Sequence, residues 1–363
     1  MGRVLTLNDV EAAVKGGSVF ACGGGGWVAH GLELGRLAVT IGRPELVSLE
    51  ELNDNDWIAT AAAIGAPGGL TDWQMLGVDY VKAVQLVQQE LGAPIAGLMV
   101  GQNGMSSTLN GWLPAAILGC KVVDAVGDLR AHPTGDMGSI GLASSPEPMI
   151  QAAVGGNRAN NAYIELVVKG ATAKVSPVLR KAADMSGGFI ASCRNPIPAG
   201  YVRQHAALGG ISQAIALGES ILAANGNGIV ETICRHTGGN IIGSGKVAAN
   251  SLRYTEEAFD VGIVTVGQGK DLRRIHIMNE HMAVEDAHGE RLASYPDVIT
   301  TLDNAGNPVS AGQLKPGMEV VIFHMHHSQF PLSSSVTDPA VYPPVEKTLG
   351  IDLRSYLPTG DAA

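Results

Sequence analysis

Charge and aromatic surface are both scarce in this chain. Asp, Glu, Lys and Arg make up 16% of its 363 residues and aromatics 4%. The net charge of −10 comes without any window rich in Lys and Arg. Such a chain carries no electrostatic footprint for nucleic acid or for an anionic membrane. Cysteine is sparse too: Cys22, Cys120, Cys193 and Cys234 stand far apart with no CxxC pair. Neither a zinc ribbon nor a disulfide framework is indicated, and a reducing cytoplasm fits. The first residues lack the apolar core of a secretory signal, and no run of 18 apolar residues is present to cross a bilayer.

What is abundant is glycine, with 48 residues, and small apolar side chains within a 45% hydrophobic total. That profile suits a globular enzyme with large buried sheets, not a disordered chain. The length exceeds what one core usually supports, so two domains are expected. Low charge and Ala/Gly-rich helices suit a homo-oligomer.

The most unusual stretch is Ser18 to Trp27, where Cys22 is followed by Gly23, Gly24, Gly25 and Gly26. Four consecutive glycines lose much backbone entropy on ordering. Their use is either close approach of backbone N–H groups to a ligand or simple relief of crowding in a turn. The pattern places a helix from Asn8 or Asp9 to Val14, stopped by Gly16 and Gly17. A strand at Val19 to Ala21 then leads into the glycines, and a helix runs from Val28 to Ile41. Strands are expected near Leu46 to Leu49, at Trp57 to Ile64 and at Ile95 to Val100, the last a continuous apolar run buried on both faces. Val78, Val81, Val84, Val87 and Leu91 recur at helical spacing. Leu113 to Leu118 reads as a helix and Val122-Val123 as a strand end. Alternation of this kind predicts an N-terminal, mostly parallel α/β sheet. Ligands bind such sheets beyond the C-terminal strand ends, so the loops Gly23–Gly26, Gly101–Gly104 and Asp124–Arg130 are expected to converge. After Pro148, helices at Pro177 to Met185 and Arg203 to Ala224 flank a strand at Phe189 to Cys193. From Gly228 onward the chain reads as short strands and turns, a β-rich C-terminal domain of α+β type with few helices. The boundary is placed at 165, giving domains 1–165 and 166–363.

Several residues can carry chemistry. Asn103 and Asp124 each follow an apolar strand, and an amide beside a carboxylate can recognise the donor and acceptor of a cyclic amide; loop capping is the plainer role. Asp128, Arg130 and His132 lie close in sequence. Arg130 could hold a carbonyl or carboxylate and His132 exchange protons near neutral pH, or the group could be an internal salt bridge. Cys22 is a conceivable nucleophile, although free cysteine is often simply buried. His324, His326 and His327 are metal candidates, because alternate strand positions share a face. No carboxylate or third histidine at telling spacing accompanies them, so no metal or other cofactor is assigned. Glu280 and Asp297 could form a carboxylate pair or brace the β-rich domain.

At these positions the sequence resembles the S-methyl thiohydantoin desulfurase-like proteins. The matching pieces are Cys22-Gly-Gly-Gly-Gly26, Ile64-Gly-Ala-Pro67, Asn103-Gly104, Val123-Asp-Ala-Val-Gly127 and Arg130-Ala-His-Pro133. In the second half they are Gly239, Gly245-Lys-Val247, Asn279-Glu280, Tyr295-Pro-Asp-Val-Ile299 and Leu302-Asp303. The resemblance implies two domains and a role on cyclic amides: desulfuration of an S-methyl thiohydantoin, or support of hydantoin metabolism. It departs at Trp27, where the family usually carries an acidic residue, at Cys22, where Thr is common, and at Val126 and Thr134, which replace acids. On this basis Asp124 and His132 are the expected catalytic residues. Gly23, Gly24, Gly25, Gly26, Trp27, Asn103, Arg130, Asn279 and Glu280 are the expected binding residues. The expected activity is hydrolysis at a five-membered cyclic amide, with methanethiol leaving. The alternative is a non-catalytic partner subunit of a hydantoinase- or oxoprolinase-like complex.

Overall fold

The apolar runs around Trp57 and Leu98 form adjacent parallel strands at the centre of a nine-stranded mixed sheet. The computed structural model describes residues 2–69, 71–224 and 228–358. The first sheet comprises β1 (Arg3–Val4), β2 (Glu45–Val47), β3 (Trp57–Gly65), β4 (Gly97–Val100), β5 (Lys121–Val126), β6 (Met149–Gly155), β7 (Ile164–Gly170), β8 (Phe189–Pro198) and β9 (Ala207–Leu208). Its order is β1-β2-β5-β4-β3-β8-β6-β7, with β9 on β5. The core β2-β5-β4-β3 is parallel, and β8, β6 and β7 extend it antiparallel. Every residue of β4 is buried, as a strand covered on both faces requires. The sheet therefore takes strands from both sides of residue 165.

Nine helices accompany the strands among the described residues: α1 (Leu7–Phe20), α2 (Val28–Ile41), α3 (Gly77–Leu91), α4 (Trp112–Leu118), α5 (Thr172–Met185), α6 (Ala199–His205), α7 (Gly210–Ala223), α8 (Ile229–Thr237) and α9 (Tyr342–Leu349). None is long and apolar enough to cross a membrane. The second sheet is antiparallel: β10 (Asn240–Asn250), β11 (Arg253–Tyr254), β12 (Asp260–Val266), β13 (Arg273–Met278), β14 (Glu280–Glu285), β15 (Arg291–Ser294), β16 (Val298–Leu302) and β17 (Glu319–Met325). Its order is β15-β14-β13-β12-β10-β17-β16, with β11 on β12. The two-part architecture, α/β followed by a β-rich unit, is the one expected from the sequence.

Local differences have physical causes. Gly16 and Gly17 do not stop the first helix, and Val19 to Ala21 is not a strand: α1 continues to Phe20. A Cβ on Gly16 would lie 1.9 Å from the Ala214 carbonyl oxygen of α7, and one on Gly218 would lie 1.8 Å from that of Ala12. The glycines let α1 and α7 touch backbone to backbone, and that packing outweighs the helix cost of glycine, about 1 kcal/mol each. The start of α1 is capped by Thr6, whose hydroxyl accepts from Asp9 N while the Asp9 carboxylate accepts from Thr6 N, not by Asn8 or Asp9. The expected helix from Arg203 to Ala224 is two helices, α6 and α7, separated by β9. Helix α8 occupies a stretch expected to be strands and turns. Asp124 sits inside β5 rather than beyond its end.

The α1–α7 crossing gives a direct test. Replacing Gly218 with Ala gains about 1 kcal/mol of helix propensity but forces an overpacking cost of about 1–3 kcal/mol. Urea denaturation of Gly218→Ala should show a net loss of stability. A gain would contradict the close crossing.

Candidate active site

The glycine run leaves the end of α1 and enters α2, threading the gap between the two sheets. Toward the second sheet, His281 N donates to Cys22 O (2.7 Å) and Ala311 N to Gly23 O (2.9 Å). Toward the first, Ser106 N donates to Gly25 O (3.0 Å). Cys22, Gly23, Gly25 and Gly26 all have positive φ, the three glycines between 73° and 86°. Side chains would not fit here. A Cβ on Gly23 would meet the His281 ring at 2.6 Å, on Gly24 the Glu280 Oε1 at 2.1 Å, on Gly25 the Gly104 Cα at 2.7 Å, and on Gly26 the Ser106 Oγ at 1.9 Å.

Beside this run lies a cavity of about 480 Å³, within the size range of small-molecule sites. The loops following β3, β4 and β5 supply Pro67 and Gly68, Gly101 and Gln102, and His132 to Gly135. Those three loops open at the C-terminal ends of parallel strands. Helix α5 adds Ser176 and Arg180, and β8 adds Phe189, Arg194 and Asn195. The second sheet closes the cavity with Tyr254, Asp260, Asn279 and Glu280, and a following loop adds Ser310 to Gln313.

Glu280 is the most perturbed carboxylate of this set. It is 4% exposed, and its Oε2 has no hydrogen-bond partner among the described residues. Burial pushes its pKa up to about 8, against the opposing pull of Arg130, Arg180 and the Gly25 N–H. Asp260 is also raised by burial, although its Oδ2 accepts from Gly68 N (2.9 Å). Asn279, with φ of 57°, locks this corner: its Oδ1 accepts from Asp260 N (2.9 Å). Two guanidiniums line the same cavity. Arg180 donates to the carbonyls of Gly65 (3.0 Å) and Pro133 (2.6 Å), and burial lowers its pKa to about 10. Arg194 donates through Nε to Gln151 Oε1 (3.1 Å) and through Nη2 to Ser176 Oγ (2.6 Å). No hydrogen bond engages Arg194 Nη1 among the described residues.

Two sequence profiles, for the N-terminal and C-terminal S-Me-THD-like domains, match residues 8–165 and 171–332 respectively. The chain belongs to the S-Me-THD-like family. A crystal structure of a protein from Chromobacterium violaceum shares its fold, with a TM-score of 0.69, 21% identity and 96% of each chain covered. No curated protein matches the chain.

In this S-Me-THD-like chain Gly23 to Gly26, Trp27, His132, Asn279 and Glu280 all line this cavity. Asp124, Asn103 and Arg130 do not line it. The Asp124 carboxylate accepts from Ile211 N (3.0 Å), Ser212 N (3.0 Å) and Ser212 Oγ, capping the start of α7. Asn103 is fully buried, donating to Gly210 O (3.0 Å) and accepting from Thr108 Oγ1 (3.1 Å). Arg130 is a strut between the sheets, donating to Asp297 O (2.7 Å) and His281 O (2.8 Å). His132 hydrogen-bonds Gly101 O through Nε2 (3.1 Å), and burial lowers its pKa to about 4. It is therefore neutral at pH 7, with Nε2 donating to that carbonyl and Nδ1 buried without a hydrogen-bond partner among the described residues, so it is not a proton donor. Cys22 is fully buried, with its thiol pKa raised by that burial, so it presents no thiolate. Trp27 stacks on Trp73 (4.9 Å, 15°) and packs on Phe189 (4.4 Å), forming an apolar end to the cavity. Arg180, Arg194 and Asp260 were not singled out in the sequence. The one available signal was Arg194-Asn195 closing the otherwise apolar strand run from Phe189.

The raised pKa of Glu280 has a stability consequence with a definite sign. Folding favours the neutral carboxyl, so stability falls as pH rises from the ordinary value of 4.5 and levels off above about 8. Glu280→Gln removes this penalty. Its melting temperature should match the parent near pH 4 and exceed it increasingly up to pH 8. A gap independent of pH would contradict the assignment.

Proposed function

We propose that this protein hydrolyses a five-membered cyclic amide, with S-methyl thiohydantoin as the representative substrate. The observation that carries the reading is a carboxyl group of raised pKa, Glu280, held against the glycine run in a cavity of ligand size. Ionised Glu280 takes a proton from water as the oxygen adds to the ring carbon bearing sulfur. The electron pair moves onto the ring nitrogen, which takes that proton back from Glu280. Collapse of this adduct breaks the C–S bond, the added hydroxyl loses its proton, and methanethiolate leaves and is protonated, giving hydantoin and methanethiol. Glu280 suits both proton transfers, because a pKa near 8 makes it a stronger base than an ordinary carboxylate and still a usable acid.

Charge developing on the ring needs donors already in place. Arg194 offers its unengaged Nη1, and Gly26 N–H lies at the uncapped start of α2. Gly24 N–H is occupied by Ala21 O (2.7 Å), which narrows the donor role expected for the glycines. Trp27 and Phe189 provide an apolar face for the ring or its substituent.

Purified protein incubated with S-methyl thiohydantoin should release thiol. Glu280→Gln should lower kcat by about 10²–10⁴-fold, the usual share of general acid–base catalysis. Asp124→Ala should retain turnover, since that carboxylate caps α7 outside the cavity. With Glu280 as base, kcat/KM should rise about tenfold per pH unit toward a plateau above pH 8. Full activity in Glu280→Gln, or no thiol release by the parent, would overturn the reading.

A further inference from the structure

A second group of chemistry-bearing side chains lies outside the cavity, where the end of β17 meets the start of β16. The sequence supplies His324, His326 and His327 there without a nearby carboxylate. The fold supplies one: Asp297, about nine-tenths buried. Its Oδ2 accepts from His324 Nε2 (2.9 Å), and its Oδ1 lies 2.8 Å from His327 Nδ1 and accepts from His327 N (2.9 Å). The His326 ring packs at a tilt of 33° on that of His327, with centroids 4.0 Å apart. One ligand atom from each of Asp297, His326 and His327 lies within 4.8 Å of the others.

We propose that Asp297, His326 and His327 form a binding site for a divalent transition metal of the zinc class. Two imidazoles and one carboxylate, with remaining positions open, are a donor set that such ions accept. A tetrahedral zinc with bonds of about 2.1 Å spaces its donors roughly 3.4 Å apart. Closure therefore asks for at most about one and a half ångströms of movement, and exposed His326, whose side-chain hydrogen bonds among the described residues are to Ser328 (Nδ1 to Oγ 2.9 Å), is free to supply it. The other two donors are already oriented. Arg130 fixes the Asp297 main chain through its carbonyl (2.7 Å), and His324 fixes the carboxylate oxygen facing away from His327. His324 is thus a positioning residue of the kind that commonly tunes metal ligands. None of these four side chains lines the cavity, so the site is separate from the proposed chemistry.

The test uses the full chain and zinc or cobalt chloride alone. After equilibrium dialysis the parent should retain one Zn²⁺ per chain, and Co²⁺ in its place should give visible d–d bands. His326→Ala and His327→Ala should each weaken binding by tenfold or more, and His324→Ala by about 10–100-fold with altered Co²⁺ bands. His326 is exposed, so His326→Ala keeps the fold and isolates the metal effect; circular dichroism checks this. No bound zinc in the parent, or His326→Ala binding as tightly as the parent, would overturn the site and leave only a hydrogen-bonded histidine–aspartate cluster.

Discussion

Everything at the candidate site depends on four residues that have no side chains. Gly23 to Gly26 fill a gap in which each Cβ position is already occupied, by His281, Glu280, Gly104 and Ser106 in turn. Because the run is this thin, the second sheet can close onto the first, with Cys22 O and Gly23 O bonded to the strand and loop opposite. The closeness is what dries Glu280. A carboxyl withdrawn from water and given no partner for one oxygen shifts toward its neutral form, and the shift toward 8 follows. Any side chain added to the run would force the sheets apart or displace Glu280, so the backbone of one loop sets the acidity of a residue over 250 positions away.

The cavity is built from the ordinary logic of a parallel sheet combined with an unusual closing partner. Loops after β3, β4 and β5 face it because crossovers bring successive strands back in the same direction. An antiparallel neighbour, β8, then adds Arg194 and Asn195 from a strand whose other residues are mostly apolar. Two guanidiniums, half-buried Arg180 and buried Arg194, stand among carboxyls held toward their neutral forms. Neither makes an ion pair within 4.0 Å among the described residues. The site therefore presents fixed hydrogen-bond donors in a poorly solvated setting, the kind of environment in which such donors act most strongly. Arg130, by contrast, acts on main-chain carbonyls and holds the sheets in register around the site.

Much of this was legible in the residues, and the exceptions share a cause. The central strands were readable because Trp57 to Ile64 is apolar but for Thr60 and Ile95 to Val100 is a continuous apolar run, and the glycine run was visible as an anomaly. What stayed hidden were choices made by partners distant in sequence. Gly16 and Gly17 look like a helix stop until α7 packs on them. Asp124 looks like a loop carboxylate until Ile211 and Ser212 present their N–H groups to it. His324 to His327 lack a carboxylate until the fold brings Asp297 alongside. Arg194 reads as a strand-end charge, and only the crossing of β8 beside β3 turns it toward the cavity. Local pattern fixes elements; long-range contact fixes roles.

The closed glycine run holds Glu280 toward its protonated form at neutral pH. Difference infrared spectroscopy of the parent against Glu280→Gln reads this directly through the carboxylic C=O stretch. A protonated carboxyl is expected at pH 7, absent from the variant and titrating near 8. A group already ionised at pH 7, titrating in the ordinary carboxylate range near 4.5, would contradict it.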